Sequence, residues 1–279
     1  MRTIALLLPL VCLCPATGSA AAELAVVRPI VAQSEGGVNV PPGYEHVAGE
    51  TLFFTCRIAG YAKTPEEKAH VTYSLETFDP KGVPLTEIYR NEMITDVAPQ
   101  DKEWMPKIST EIQIPPLVGA GTYRILVKVE DLVAGKKAEL SVPFAVRART
   151  VEPSDTLVVR NFQFFRGEDD PQPMQKAVYH GGDAVWTKFD IIGYQYGEKN
   201  RVDVSYVTSV ISPSGKVLWT QPEPAAEQSE SFYPKRYVVA TMGVTLLANT
   251  KPGEYTIAVK VTDAVGKQTY ETKQTFAVE

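Results

Sequence analysis

The residues of this 279-residue chain best suited to metal chemistry are three histidines, His46, His70 and His180, and the acidic run Gly167-Glu168-Asp169-Asp170. A zinc site gathers three or four ligands, usually at short paired spacings. None of the histidines stands in an H-x-x-x-H or H-x-E arrangement, and His180-Gly181-Gly182-Asp183 reads as a loop entering a strand. The acidic run lacks the spaced oxygen ligands of a calcium loop, and Pro171-Gln172-Pro173 follows it, so it reads as a solvated turn. Nucleophilic catalysis finds no G-x-S-x-G elbow, no glycine-rich phosphate loop and no Ser-His-acid set that spacing would assemble. The 33 acids are too scattered to nominate a catalytic pair. The expectation is no cofactor, no metal and no enzyme.

Recognition chemistry has a better candidate. An aromatic-x-Pro-Lys segment occurs twice, as Trp104-Met105-Pro106-Lys107 and Phe232-Tyr233-Pro234-Lys235. Each follows a polar stretch, Ile94 to Glu103 and Gln221 to Ser231, that reads as a long loop, and long loops are often functional. Trp104, Lys107, Phe232, Tyr233 and Lys235 are therefore the candidate binding residues, facing a sugar ring or a protein partner. The competing reading makes each aromatic a plug at one end of the core, with the proline opening an edge strand. Equal positions in the two segments predict equal fates for Trp104 and Phe232.

What must position these segments is a repeat. Gly49-Glu50-Thr51-Leu52-Phe53-Phe54-Thr55-Cys56-Arg57-Ile58-Ala59-Gly60-Tyr61 returns as Gly182-Asp183-Ala184-Val185-Trp186-Thr187-Lys188-Phe189-Asp190-Ile191-Ile192-Gly193-Tyr194, an offset of 182 minus 49, or 133 residues. Val71, Tyr73, Pro80, Gly82 and Leu85 meet Val204, Tyr206, Pro213, Gly215 and Leu218 at the same offset. Near the end of each copy Gly121-Thr122-Tyr123 answers Gly253-Glu254-Tyr255, and both copies close with Phe-Ala-Val, from Phe144 and Phe276. A unit of this length is a domain rather than a solenoid repeat.

Within each copy apolar residues alternate. Leu52, Phe54, Cys56 and Ile58 share one face, as do Tyr123, Ile125, Val127 and Val129, and the second copy matches both rows. A period of two marks strands with one buried side. Turns such as Asp79-Pro80-Lys81-Gly82 and Ser212-Pro213-Ser214-Gly215 separate them, and no stretch holds a helical period for three turns. Each copy thus predicts a β-sandwich of about seven strands. Tyr123 and Tyr255, just after a glycine turn, fit tyrosines that pin a sandwich corner through the hydroxyl, and Tyr61 and Tyr194 are expected to act similarly. Cys56, aligned with Phe189, reads as a small buried hydrophobe. Arg147 to Asp155, with Pro153, breaks the pattern and marks the boundary.

The Gly-acid strand entry, the Pro-Gly turns, the Tyr-x-Ile-x-Val hairpin and the closing Phe-x-Val resemble the macroglobulin-type and broader immunoglobulin-like β-sandwich domains of exported bacterial proteins. The resemblance is at the level of the fold. It implies a scaffold or interaction role and transfers no functional residue, because the Cys-Gly-Glu-Gln thioester signature of macroglobulins is absent around Cys56.

Arg2, the apolar run Ile4 to Cys14 and the small residues Ser19 to Ala22 read as an export signal, too short to span a bilayer. Its removal takes Arg2 and no acid, so 28 bases become 27 against 33 acids, net −6. With basic residues scattered, nucleic acid and membrane insertion are not expected. The reading is an all-β exported protein, periplasmic or extracellular: signal peptide 1–22, then two tandem immunoglobulin-like (macroglobulin-type) domains, 23–150 and 151–279. The expected function is non-catalytic, a protein partner in the envelope or outside it being bound or scaffolded. The alternatives are a carbohydrate-binding module using the loops around Trp104 and Phe232, and an accessory or inhibitor domain of a larger secreted system.

Overall fold

The computed structural model describes residues 23–101 and 103–279; the expected signal peptide, with Cys12 and Cys14, lies outside the described residues. The chain is all-β. The first copy supplies β1 (Ala25–Ala32), β2 (Glu45–Val47), β3 (Thr51–Ala59), β4 (Lys68–Phe78), β5 (Tyr89–Asp96), β6 (Lys107–Gln113), β7 (Gly121–Asp131) and β8 (Lys136–Arg147). The second supplies β9 (Val158–Phe165), β10 (Val178–Tyr179), β11 (Ala184–Ile192), β12 (Val202–Ile211), β13 (Val217–Thr220), β14 (Ala225–Ser229), β15 (Val238–Thr245), β16 (Gly253–Asp263) and β17 (Gln268–Val278). A single 3-10 turn at Glu198–Asn200 is the one helical element among the described residues.

The two copies share one strand order. The first pairs a β1-β3-β6 sheet with a β2-β8-β7-β4-β5 sheet; the second pairs β9-β11-β15 with β10-β17-β16-β12-β13, β14 also lying against β12. Apolar residues facing inward from both sheets form one core in each copy, around Phe54, Ile108, Tyr123 and Ile125 in the first and Phe189, Ile191, Tyr255 and Ile257 in the second. These are immunoglobulin-like β-sandwiches, with eight and nine strands where turn spacing predicts about seven. The additional strands are short edge pieces, β2 and β10, and a divided edge, β13 and β14. The supposed long loops also contain strand. The end of β5 occupies the start of the 94–103 stretch and β14 the middle of 221–231. An edge strand with one neighbour and a wet face carries too little apolar alternation to stand out in sequence.

Small irregularities repeat as well. Arg28 and Asn161, 133 residues apart, both hold positive φ, 52° and 51°, where the first strand of each copy bulges. Gly121 and Gly253 open the hairpins at φ 150° and 152°, and a Cβ there would meet the turn prolines Pro80 and Pro213 at 2.7 and 2.8 Å. The tyrosine corners form as expected: Tyr123 donates to the Gly119 carbonyl at 2.6 Å and Tyr255 to that of Lys251 at 2.9 Å.

Two fully buried carboxylates sit at equivalent ends of β7 and β16. Asp131 accepts from the N–H of Val133, Ala134 and, across the sandwich, Ala62. Asp263 accepts from Val265, Gly266 and Gln195 in the same way. Each joins a hairpin turn to the chain just past the Gly-Tyr end of the facing strand. We expect Asp263→Ala to lower unfolding stability by ~3 kcal/mol, three partly buried N–H groups losing the charged acceptor they share, with Asp263→Asn costing less. Chemical denaturation showing a loss below ~1 kcal/mol for Asp263→Ala would remove the carboxylate from this role.

Cys56 is 1% exposed, and burial pushes its thiol up to about 12. Cys56→Ala should therefore cost ~1 kcal/mol or more, and the native thiol should resist an aromatic disulfide reagent until the protein unfolds. Labelling in the native state as fast as in denaturant would contradict the buried assignment.

Candidate functional site

The histidines and acids singled out by chemistry do not converge. His46 is buried between Tyr44 and Phe144, its pKa lowered by desolvation against the opposing pull of Glu50. His70 contacts Glu92 at 2.5 Å on a sheet surface, and the His180 side chain is exposed beside Asp183. Asp183 and its counterpart Glu50 each accept a backbone N–H three residues back, closing the turn into the strand. Among the described residues no group of three or more His, Cys, Asp or Glu could hold a metal ion. A trough of about 870 Å³ crosses the charged face of the β4-β5-β7-β8 sheet, where Lys137 and Glu130 pair at 3.3 Å across neighbouring strands. Cross-strand charge pairs of this kind suit a solvated sheet face.

The aromatic-x-Pro-Lys segments meet different fates. Trp104 is half-buried, its ring edge-on to Tyr61 at 6.0 Å, while the Tyr61 hydroxyl donates to the Trp104 carbonyl at 2.9 Å. Lys107 is exposed at the start of β6. Phe232 is 48% exposed, so the two rings do not behave alike. Lys235 pairs with Glu227, and this contact, with help from Ser229, lowers the Glu227 pKa. The Lys235 carbonyl accepts the hydroxyls of both Tyr194 and Tyr196. Tyr233, 5% exposed, is buried inside the molecule, on the core of the first copy.

That insertion builds a junction. The Tyr233 hydroxyl donates to Asp79 Oδ2 at 3.0 Å, and Arg236 Nη2 reaches the same oxygen at 2.6 Å. The Arg236 guanidinium also lies over the Tyr233 ring, 5.2 Å from its centroid, and donates to its hydroxyl. Asp79 Oδ1 is occupied by the Lys81 and Val83 N–H groups of its own turn. Burial acts to raise the Asp79 carboxyl, but the Val83 and Lys81 N–H groups, the Tyr233 hydroxyl and the Arg236 charge together hold it below the ordinary carboxylate value. Ser212, the counterpart of Asp79, accepts only the Lys216 N–H within its own turn and touches Ser214.

The linker adds a second pair. Arg149 Nη1 lies 2.9 Å from Oδ1 of the fully buried Asp190, without the alignment of a hydrogen bond, while Asn161 donates to Oδ2 at 2.7 Å. Desolvation dominates here and leaves the Asp190 carboxyl raised despite Asn161 and Arg149. Between these two pairs lies a cleft of about 510 Å³ bounded by Asp79, Lys81, Tyr123, Arg149, Asp155, Tyr194, Tyr196, Tyr233, Arg236 and Tyr237. Sequence spacing places only Tyr233 of its tyrosine–arginine core among the candidates. The one available signal is the Asp79/Ser212 difference within matched turns.

No protein-family model and no curated protein sequence matches the chain. Solved structures with a similar course of chain include the C-terminal domain of the Streptococcus agalactiae AgI/II polypeptide BspA, at 12% identity and TM-score 0.30 over 92% of this chain and 100% of that one. The C-terminal domain of the Streptococcus pyogenes antigen I/II-family protein AspA gives 11% identity and TM-score 0.32 over 90% and 99%. A family 123 glycoside hydrolase from Clostridium perfringens gives 16% identity and TM-score 0.29 over 44% of this chain and 27% of that one. Likeness at this level assigns no activity, and the immunoglobulin-like description rests on the strand order and the two cores.

Proposed function

We propose that the chain is a non-catalytic, exported interaction protein. Two β-sandwich domains, 23–150 and 151–279, are held in fixed relation and present a contact surface to a protein partner in the envelope or outside the cell. The observation that carries this reading is the junction: Tyr233 of the second copy completes the core of the first, and Arg236 closes on Asp79 beside it. Buried pairing of this kind costs desolvation and is useful where relative geometry matters. Phe232, adjacent to the lock and 48% exposed, is the anchor we assign to the partner, since exposed aromatics commonly dominate an interface. Trp104, half-buried, and the exposed Lys107 lie on the first domain. Export rests on the character of residues 1–22.

A photo-crosslinking amino acid at position 232 of the full-length exported protein should give a discrete, protease-sensitive adduct on illumination of intact cells. Illumination that yields no adduct at 232, while the same group near Trp104 yields one, would move the contact to the first domain. If neither position gives a protein adduct, the interaction reading fails.

Rigidity has its own test. Arg236→Met should widen the small-angle scattering envelope and separate the unfolding into two transitions. Residues 23–150 expressed alone should fold cooperatively but melt below the same domain in the full chain, since they lack Tyr233. In the unaltered protein the junction's acid dependence follows from the depressed Asp79 carboxyl. Its contribution is complete above the ordinary carboxylate value of about 3.9 and is lost as pH falls through the lower folded value. With Asp190→Asn removing the raised carboxyl that faces Arg149, scattering should be constant from neutral pH down to about 4 and expand only below it. Expansion already at mildly acidic pH, or none for Arg236→Met, would contradict a locking role for the pair.

A further inference from the structure

We propose that the junction cleft is a binding site for a neutral sugar of one or two rings. The site is separate from the protein contact at Phe232, and the inference requires only that the junction be closed. Its volume of about 510 Å³ falls within the ~300–1,000 Å³ typical of small-ligand sites, which occur preferentially between packed domains. Its floor is aromatic and rigid, Tyr194, Tyr233 and Tyr237 being 5%, 5% and 6% exposed. At the mouth stands Tyr196, 39% exposed, its hydroxyl held by the Lys235 carbonyl and its ring edge-on to Tyr194 at 5.6 Å. A ring fixed at its polar end with its apolar body open to the cleft suits the C–H face of a pyranose.

The charges select for neutrality. Each guanidinium of the cleft is already matched by a buried carboxylate, Arg236 by Asp79 and Arg149 by Asp190. A carboxylate or phosphate entering here would approach compensated cations and gain little Coulomb energy. What the guanidiniums still offer is N–H donors, because each carries five and uses only some of them on its partner. Thr150 and the Asp155 carboxylate, both exposed on the linker, supply acceptors at the same cleft. With Lys81 and Asp155 of opposite sign at the same cleft, donors and acceptors on an aromatic floor without net charge match a ring of hydroxyl groups.

The test uses the mature chain with maltose, cellobiose and N,N′-diacetylchitobiose as neutral probes, followed by isotope-edited NMR. Digalacturonate and an acetylated Asp-Glu dipeptide amide serve as acidic sugar and acidic peptide. At least one neutral disaccharide should shift the resonances of Thr150, Asp155 and Tyr196 at millimolar concentration. Tyr196→Ala should weaken that binding by about tenfold or more, whereas Tyr196→Phe, which keeps the ring, should stay within about threefold. Silence of all three neutral sugars at these residues overturns the proposal. So does tighter binding of digalacturonate or of the dipeptide, which would assign the cleft to anions. Equal loss in the alanine and phenylalanine variants also overturns it, because the ring would then have no part in binding. Failure of the crosslink at position 232 leaves these outcomes unchanged, and failure here leaves the protein contact standing.

Discussion

A carboxylate taken out of water must be answered by donors, and four buried aspartates organise this protein. Asp131 and Asp263 each gather three N–H groups from two places in the chain and so fix how the sheets of one copy face each other. Asp79 gives one oxygen to its own turn and the other to the second copy. Asp190 draws the linker inward through Arg149. Hydrophobic alternation decides that there are sandwiches, but it is non-directional and leaves their mutual placement open. The directional demand of the buried carboxylates narrows it.

The repeat made much of this fold readable. Strand entries, tyrosine corners, hairpin glycines and the buried Cys56 follow from alternation and turn chemistry, and the structure places them as those patterns require. The edges were harder. β14 and the last residues of β5 lie in polar stretches that read as loops, because a strand with one neighbour and a wet face has weak alternation. Edges are decided by pairing with a neighbouring strand, β4 and β12 here, and that pairing leaves no apolar alternation in the edge strand itself.

The cleft was less legible for a related reason. Tyr233 belongs to a segment whose counterpart holds Met105, and the matched positions suggested a shared role for their neighbours Trp104 and Phe232. Instead the contact between copies breaks the symmetry, since tandem units meet through unlike faces. Asp79 facing Tyr233 and Arg236 has no second instance, because Ser212 in the equivalent turn carries no charge to offer. In a tandem repeat, the positions where matched turns differ in charge are where such a contact is to be sought.

The borrowed tyrosine also imposes an order on biosynthesis. Tyr233 lies 154 residues after Asp79, so the amino-terminal sandwich leaves the ribosome with a gap in its core and an aspartate lacking its partner. From Arg147, where the last strand of the first sandwich ends, to Tyr233 the chain grows for roughly 4–17 s at ordinary rates, long beside the folding of a small β domain. Throughout that interval the first sandwich is a less stable species than it will become, with an apolar opening available to a chaperone. Arrival of the second sandwich closes the opening. The junction that sets the geometry of the finished protein thus also marks the moment at which its first half is complete.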